Sequence, residues 1–360
     1  TYVRPLRNIF TKGIDKKQRE KEQHLCFDSC VHGQFLLTGT RGGRLSSREP
    51  NLQNQPSDAV VKRMFTSRFG DKGCMYAGDL SQIELRLLAA ACGDANMMEA
   101  YEKDLDLHTL TTSRIYGTSY ETYTKLHMEE LQRDGKGDEA KELDLQRRIG
   151  KTCNFLTGYG GGAFGLMTVL ASSKVYKSLE ECEGILEKFF ASYPGLKNYL
   201  GYYKKFIERN GVAVSLLGRV RVFEEVNGED GQAKAKALRA GCNHLIQSTA
   251  SDIMLVCLVA IENLMRKDNL TSIMVSTVHD SLLIDALREE LPAIHDIVDY
   301  VLNNIPEVLK GSFGDDYDTS WMIVPLSGDC EVGLNYLDMN KIPAKGKVDW
   351  DALLAEKESS

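Results

Sequence analysis

Hydrophobic and polar positions change period several times along the chain. Over residues 1–56 the apolar positions are scattered among Gly, Arg, Ser and Asn with little regular period, which predicts loops and short strands. A compact apolar run, 74-CMYAGD-79, predicts a strand, and 82–91 is then apolar on nearly every side, as a buried helix would be. From about 94 to 231 the spacing is mostly helical, and the charged stretch 128-MEELQRDGKGDEAKELD-144 reads as a solvated insertion. A long helix is predicted over about 234–266. Two apolar runs, 273–278 and 282–284, then form a hairpin, followed by a helix near 288–304 and a strand-like tail, 320-SWMIVPLSGDCEVG-333. No internal repeat is visible. Strands towards both ends with helices between them predict an α+β fold, a sheet platform carrying a helical insertion.

Composition changes this picture little. At 360 residues and 42% hydrophobic content the chain can bury a large core, in two lobes. No purely apolar run reaches the roughly 18 residues of a membrane span, and no charged-then-apolar leader opens the chain, so a soluble protein with no membrane partner is expected. Charge is more informative. The net of −7 hides a basic first segment: residues 1–70 hold thirteen Lys and Arg against six Asp and Glu. A basic arm on an acidic body can bind a polyanion locally. The nine cysteines, odd in number and dispersed, read as reduced thiols. The stretch 24-HLCFDSCVH-32 has a Cys-x3-Cys with flanking histidines, but no second cysteine pair nearby to complete a zinc site.

Four stretches carry candidate chemistry. In 79-DLSQIELRLLAAA-91, Asp79 closes a buried strand, where a carboxylate is costly unless a cation meets it. Ser81 and Glu84 in the same stretch also fit the S-x-x-E capping box. In 276-STVHDSLLID-285, Asp280 lies at the turn of an apolar hairpin. Two such acids can converge on a pair of divalent ions about 4 Å apart, as phosphoryl transfer requires, and all-oxygen ligation suits Mg²⁺. In 147-RRIGKTCNFLTGYGG-161, Arg147, Lys151, Phe155 and Tyr159 recur every four residues and form one helical stripe, cationic at its start and aromatic at its end. That gradient suits a nucleoside triphosphate; equally, it suits a solvated basic turn followed by core aromatics. The glycines beyond it lack the order of a phosphate-cradling loop and read as the helix stop. In 239-RAGCNHLIQ-247, Arg239, Asn243 and Gln247 line one helix face, either as minor-groove contacts or as the wet side of a half-buried helix.

Taken together and in order, these stretches resemble the polymerase domain of family A DNA polymerases, the bacterial DNA polymerase I and phage replicative type. The resemblance runs from about residue 38 to 333 through 44-RLSS-47 with 51-NLQN-54, 79-DLSQIELR-86, 106-DLHT-109, 147-RRIGKTCNF-155 with Tyr159 and Gly160, 243-NHLIQSTASD-252 and 278-VHDS-281. It implies a right-hand polymerase fold, with an antiparallel-sheet palm at 1–93 (a thumb-base remnant at its start) and 234–360, and helical fingers at 94–233. Most of the thumb and any exonuclease domain are expected to be absent, so that the chain is a fragment or works with a separate chain supplying them. By the same resemblance, Asp79 and Asp280 hold two Mg²⁺ ions, for which Mn²⁺ can substitute, and the Leu80 carbonyl adds a ligand. Arg147, Lys151 and His108 grip the triphosphate of a dNTP, with Lys151 also serving the leaving pyrophosphate. Phe155 and Tyr159 lie against the nascent base pair. Arg44, Asn51, Asn54, Arg239, Asn243, Gln247 and His279 contact primer-template DNA. Glu84 blocks the ribose 2′ position, a role that competes with helix capping. The location implied is the cytoplasm of a bacterial or phage-infected cell, with mitochondrion or plastid left open.

One letter departs from the family pattern: Ser281 stands where these DNA polymerases usually have Glu. His-Asp-Ser is common in the related single-subunit RNA polymerases, which makes that activity the alternative. Those enzymes, however, have glycine where this chain has Glu84. A third reading, a non-catalytic DNA-binding subunit with the same fold, predicts loss of a metal carboxylate, and both are present.

Overall fold

The computed structural model describes residues 30–37, 39–54, 59–278 and 280–355. It opens with a small antiparallel ladder, β1 (Gln34–Leu36) against β2 (Ser46–Arg48). A short helix, α1 (Ala59–Arg63), leads to the eight-residue strand β3 (Gly73–Leu80). Next come α2 (Ile83–Cys92), α3 (Ala95–Glu102) and α4 (Leu107–Tyr116). Asp94 and Asp106 cap the last two, their carboxylates accepting from first-turn N–H groups that have no partner within the helix.

The charged stretch expected as an insertion is a helical hairpin, α5 (Lys125–Arg133) and the first turns of α6 (Gly137–Gly158), closed over a small core of Met128, Leu131, Ala140 and Leu143. Helices α7 (Ala163–Ser172), α8 (Leu179–Ser192) and α9 (Pro194–Asn210) follow. The helical run is then broken by a hairpin that the spacing did not predict, β4 (Val212–Val214) with β5 (Val220–Val222). The chain continues through α10 (Gly231–Lys267), β6 (Ile273–Val278), β7 (Ser281–Leu287), α11 (Leu291–Asn303) and α12 (Ile305–Phe313). It ends in β8 (Gly328–Gly333), β9 (Met339–Lys341) and α13 (Trp350–Leu354). Of the predicted tail strand, only its last six residues are β8. Pro325, without an N–H to give a ladder, precedes it.

The described residues fall into two compact units. The first holds those up to Ile83, then Ala250–Thr319 and those from Leu326 on; the second holds Glu84–Thr249 and Ser320–Pro325. In the first, β6, β7, β3, β8 and β9 form one antiparallel sheet in that order. Alternation along β3 turns Tyr76, Gly78 and Leu80 to one face and Ala77 and Asp79 to the other. The Gly78 face lies on α11, whose Ile294, Val298, Val301 and Leu302 are buried. Gly78 allows that approach, since a β-carbon there would sit 2.9 Å from Val298 Cγ1 and 3.0 Å from Leu302 Cδ1. Gly328 does the same on β8, 2.6 Å from Leu302 Cβ.

Helix α10 departs from the expectation that no stretch matches a membrane span. An 18-residue window in it has mean hydropathy 1.6, long and apolar enough by composition. Of that window 67% is buried inside the protein, and Ile253, Met254, Cys257, Ile261 and Met265 recur at helical spacing as core.

In the second unit α4 and α6 cross closely at Gly150, where a β-carbon would meet Thr112 Oγ1 at 2.2 Å. A polar network runs through this contact: Thr111 Oγ1 donates to Asn154 Oδ1 at 2.9 Å and shares a 2.8 Å hydrogen bond with the Tyr193 hydroxyl. All three residues are at most 3% exposed, so the network is the means by which these groups avoid unsatisfied burial.

The β3–α11 approach is testable. Gly78→Ala should overpack Val298 and Leu302 and cost about 1–3 kcal/mol, read as a lower urea midpoint at unchanged m-value; an unshifted midpoint would show that the helix can recede.

Candidate active site

The open face of the first unit's sheet collects acids. Asp79, next to last in β3, is flanked in register by Ser281 of β7 on one side and Asp329 of β8 on the other. Asp280 occupies the turn between β6 and β7, and its carbonyl accepts from Leu80 N–H at 3.0 Å, so the two aspartates are neighbours through the backbone. Asp280 Oδ1 lies 3.3 Å from Arg44 Nη2, each side chain 24% exposed. A cleft of about 530 Å³ opens here, lined by Asp79, Ser281, Asp329, Glu331, Tyr336 and Lys341 among others.

Asp79 is exposed at the end of its strand, not buried as the apolar run suggested, yet partial desolvation by the cleft and then the charges of Asp280, Asp329 and Glu331 push its carboxyl up to about 6. A carboxylate destabilised by its neighbours is a site short of positive charge, and its donors are oxygen. The residues therefore fit a hard divalent cation such as Mg²⁺, which Asp79 and Asp280 would hold. Among the described residues no group of three or more His, Cys, Asp or Glu is arranged to ligate a metal. Of the cysteine–histidine stretch near the start, Cys30 and His32 are described, while His24 and Cys26 lie outside the described residues.

Arg44, Asn51 and Asn54 line a second hollow, of about 270 Å³, together with Ser251, Met254 and Thr277. Asn51 Oδ1 accepts from Gln53 N and Asn54 N at 3.0 and 3.2 Å, an Asx turn that shapes the loop. His279 lies outside the described residues.

The second unit carries the stripe on α6. Arg147 is half-buried, Lys151 exposed, Phe155 half-buried, and Tyr159 sits one residue past the helix end, where Gly160 turns the backbone left-handed at φ 69°. Arg147 is not a loose cation: Nη2 meets Asp106 Oδ2 at 2.6 Å and Nε donates to Thr109 Oγ1 at 3.1 Å. Burial would raise the Asp106 carboxyl, but hydrogen bonds from Thr109 and Arg147 outweigh it and hold it below the usual range. His108 is 6% exposed, and burial, aided by Lys151 and Arg147, pushes it down to about 4. It is therefore neutral near pH 7. Asn154 Nδ2 donates to its Nδ1 at 3.0 Å, which leaves the ring proton on Nε2. Lys151 Nζ stands 6.0 Å from the Phe155 ring centroid.

Helix α2 begins at Ile83; before it Ser81 Oγ donates to Asp329 Oδ2 at 2.9 Å, and in its first turn the Glu84 carboxylate accepts from the Tyr159 hydroxyl. Glu84, Phe155 and Tyr159 share one small crevice with Asn154 and Ile246. On α10, Arg239 is exposed while Asn243 and Gln247 are half-buried, and Asn243 Oδ1 has no hydrogen-bond partner among the described residues.

The family model described as DNA polymerase family A matches residues 6–338. This chain belongs to DNA polymerase family A. Among its relatives, DNA polymerase I of Chloroflexus aurantiacus is 30% identical over 316 residues, covering 87% of this chain and 29% of that protein. The DNA polymerase of Bacillus phage SP01 is 29% identical over 321 residues, covering 86% of this chain and 32% of that protein. The chain thus spans about a third of the length of these curated relatives. A solved structure, the POL domain of Pol1 from M. smegmatis in complex with DNA primer-template and dNTP, superposes with a TM-score of 0.72 at 27% identity, over 87% of this chain and 49% of that one. The fold is the family A α+β polymerase fold, an antiparallel palm sheet with a helical fingers insertion.

For a family A chain the sequence motifs had marked Asp79 and Asp280, and the sheet brings them together. They did not mark Asp329, Glu331, Tyr336 or Lys341, which line the cleft with Asp79 from β8, β9 and the loop between them. The available signal was the tail strand, in which Asp329 and Glu331 alternate onto one face.

The raised Asp79 carboxyl sets a pH signature for the metal-free protein. The folded state takes up this proton near pH 6 and the unfolded chain near 4, so Asp79 costs stability increasingly as pH rises through that window. Asp79→Asn should raise the melting temperature of the metal-free chain at pH 7.5, with the gain shrinking as pH falls from about 6 to about 4; a gain that is the same at both ends would exclude the electrostatic cause.

Proposed function

We propose that the chain is a template-directed DNA polymerase, extending a primer 3′-hydroxyl with dNTPs and releasing pyrophosphate. The observation that supports this most directly is the pairing of β3 with β7, which sets Asp79 beside the Asp280 turn on an open, acid-lined face. Membership of family A adds to it, as does the likeness to a polymerase domain whose structure contains primer-template and dNTP.

In this reading residues 1–93 and 234–360 are palm and 94–233 fingers. Asp79, Asp280 and the Leu80 carbonyl hold two Mg²⁺ ions, replaceable by Mn²⁺. Bound there, the ions supply Lewis acidity, making the primer hydroxyl more acidic and offsetting charge on the α-phosphate. The primer oxygen bonds to the α-phosphorus of the dNTP as the bond to pyrophosphate breaks, and the protein's part is positioning and electrostatics. Lys151, exposed on its helix, neutralises or protonates the departing pyrophosphate. Arg147 offers a cation kept in one orientation by Asp106 and Thr109. Neutral His108 contributes an Nε2–H donor rather than a charge. Phe155 and Tyr159 pack against the nascent base pair, and Arg44, Asn51, Asn54, Arg239, Asn243, Gln247 and His279 bind primer and template. Glu84, held by the Tyr159 hydroxyl, fills the space a ribose 2′-hydroxyl needs. The bacterial and phage sources of the relatives support a cytoplasmic setting.

Primer extension with Mg²⁺ or EDTA, and with dNTPs or NTPs, tests this. Asp79→Ala and Asp280→Ala should each remove extension, by about a thousandfold or more, while primer-template binding in a mobility-shift assay stays within about threefold. Substantial extension by either variant would refute the metal assignment, and preference of the wild type for NTPs would move the protein to the RNA polymerase reading. Separately, Glu84→Ala should raise the ribo-to-deoxy incorporation ratio by about tenfold or more; an unchanged ratio would remove Glu84 as the sugar gate.

A further inference from the structure

The match to family A ends at residue 338, yet residues 339–355 beyond it are folded into the first unit. Strand β9 adds to the sheet edge with Glu331 opposite Lys341, Val332 opposite Asn340 and Gly333 opposite Met339. The segment after it is tied back. Asn340 Nδ2 donates to Leu353 O at 2.6 Å, and Trp350 packs edge-on against His295, whose Nδ1 lies 2.9 Å from the hydroxyl of the buried Tyr76 on β3. These anchors fix where β9 points its side chains.

One of those side chains enters the acid-lined cleft. Lys341 Nζ reaches diagonally across the strand pair to Asp329 Oδ1 at 2.9 Å, and the other oxygen, Asp329 Oδ2, accepts from Ser81 Oγ at 2.9 Å. Ser81 directly follows Asp79 and Leu80, and its N–H is held by Ser327 O at 2.9 Å. A continuous chain of contacts thus runs from Lys341 through Asp329 to Ser81, the residue that follows the end of the strand carrying Asp79. On the β7 side of Asp79 the register partner is Ser281, without a charge; on the β8 side it is Asp329.

We infer that Lys341 and Asp329 are positioning residues of the catalytic cleft: a strand beyond the family match delivers Lys341, which holds Asp329, and Asp329 through Ser81 fixes the end of β3 that presents the Asp79 carboxylate and Leu80 carbonyl. The inference rests on the polymerase reading for its catalytic consequence, though not for its electrostatic one. Lys341 and Asp329 are 63% and 45% exposed, and an ion pair so exposed stabilises a fold little. Its loss should therefore be felt in the cleft rather than in unfolding. Removing the lysine also removes a positive charge from a site that attracts cations, so metal affinity and turnover should move in opposite directions, which mere loosening of the fold does not produce.

The test uses the full chain with Lys341→Met, Lys341→Arg and Asp329→Asn, reading Mn²⁺ binding by electron paramagnetic resonance without DNA, and kcat and KM for dNTP in primer extension. Lys341→Met should tighten Mn²⁺ binding by about fivefold and Asp329→Asn weaken it by a similar factor, the effect of one unit charge across a half-solvated cleft. Lys341→Met should lower kcat by about tenfold with KM for dNTP changed less than about twofold, and Lys341→Arg should restore kcat. Adding Asp329→Asn to Lys341→Met should cost little more, because the two act in one chain of contacts. Unchanged Mn²⁺ binding and kcat in both single variants would overturn the inference. So would losses that Lys341→Arg does not rescue and that track a lower melting temperature. A wild-type chain that extends no primer overturns the polymerase reading alone, since the Mn²⁺ shifts still decide the role of the pair.

Discussion

Carboxylates crowded on one face of a sheet repel one another, and the first unit is organised around holding them there. Asp79, Asp280, Asp329 and Glu331 come from two strands and a turn, and the charges of the other three help to lift the Asp79 carboxyl to about 6. Such a cluster relaxes apart unless its backbone is rigid. Rigidity comes from the antiparallel ladder on both sides of β3 and from α11 beneath it, packed so closely that positions 78 and 328 admit only glycine without displacement. Arg44 and Lys341 then offset part of the charge, Arg44 against Asp280 and Lys341 against Asp329.

The helical unit solves a different problem, which is to keep polar groups ready for a polyanion without leaving them unsatisfied. Arg147 is oriented by Asp106, and the same carboxylate caps α4, so one acid serves both helix and cation. His108 is neutral because burial and two cations outweigh Asp106, and Asn154, itself bonded by Thr111, fixes its tautomer. Glu84 accepts from the Tyr159 hydroxyl in the crevice that both share with Phe155.

How much of this was legible before the fold depends on whether the signal was local. Asp79 and Asp280 each sit at the end of an apolar run, and that misfit marks them in any reading. The stripe Arg147, Lys151, Phe155 and Tyr159 follows from helical period alone, even though Tyr159 proved to lie just past the helix end. Asp329 and Lys341 carried no such mark. In the sequence Asp329 follows a glycine in a tail whose first half reads as strand and is not, and Lys341 looks like any exposed lysine. The hairpin of β4 and β5 was missed because strands of three residues are too short to establish a period.

By itself the sequence determined the class of fold, the buried faces of the long elements and the residues whose chemistry sits awkwardly in apolar surroundings. These follow from spacing within one element, where periods of 2 and 3.6 residues tie position to direction. Only the tertiary structure decided which charges meet. The fold joined Asp79 to Asp329 across about 250 residues, gave Asp280 to Arg44, set Ser81 against Asp329 and brought Lys341 into the cleft. A hydrogen-bond ladder has no memory of sequence distance, and the energy of a charge is set by its neighbours in space.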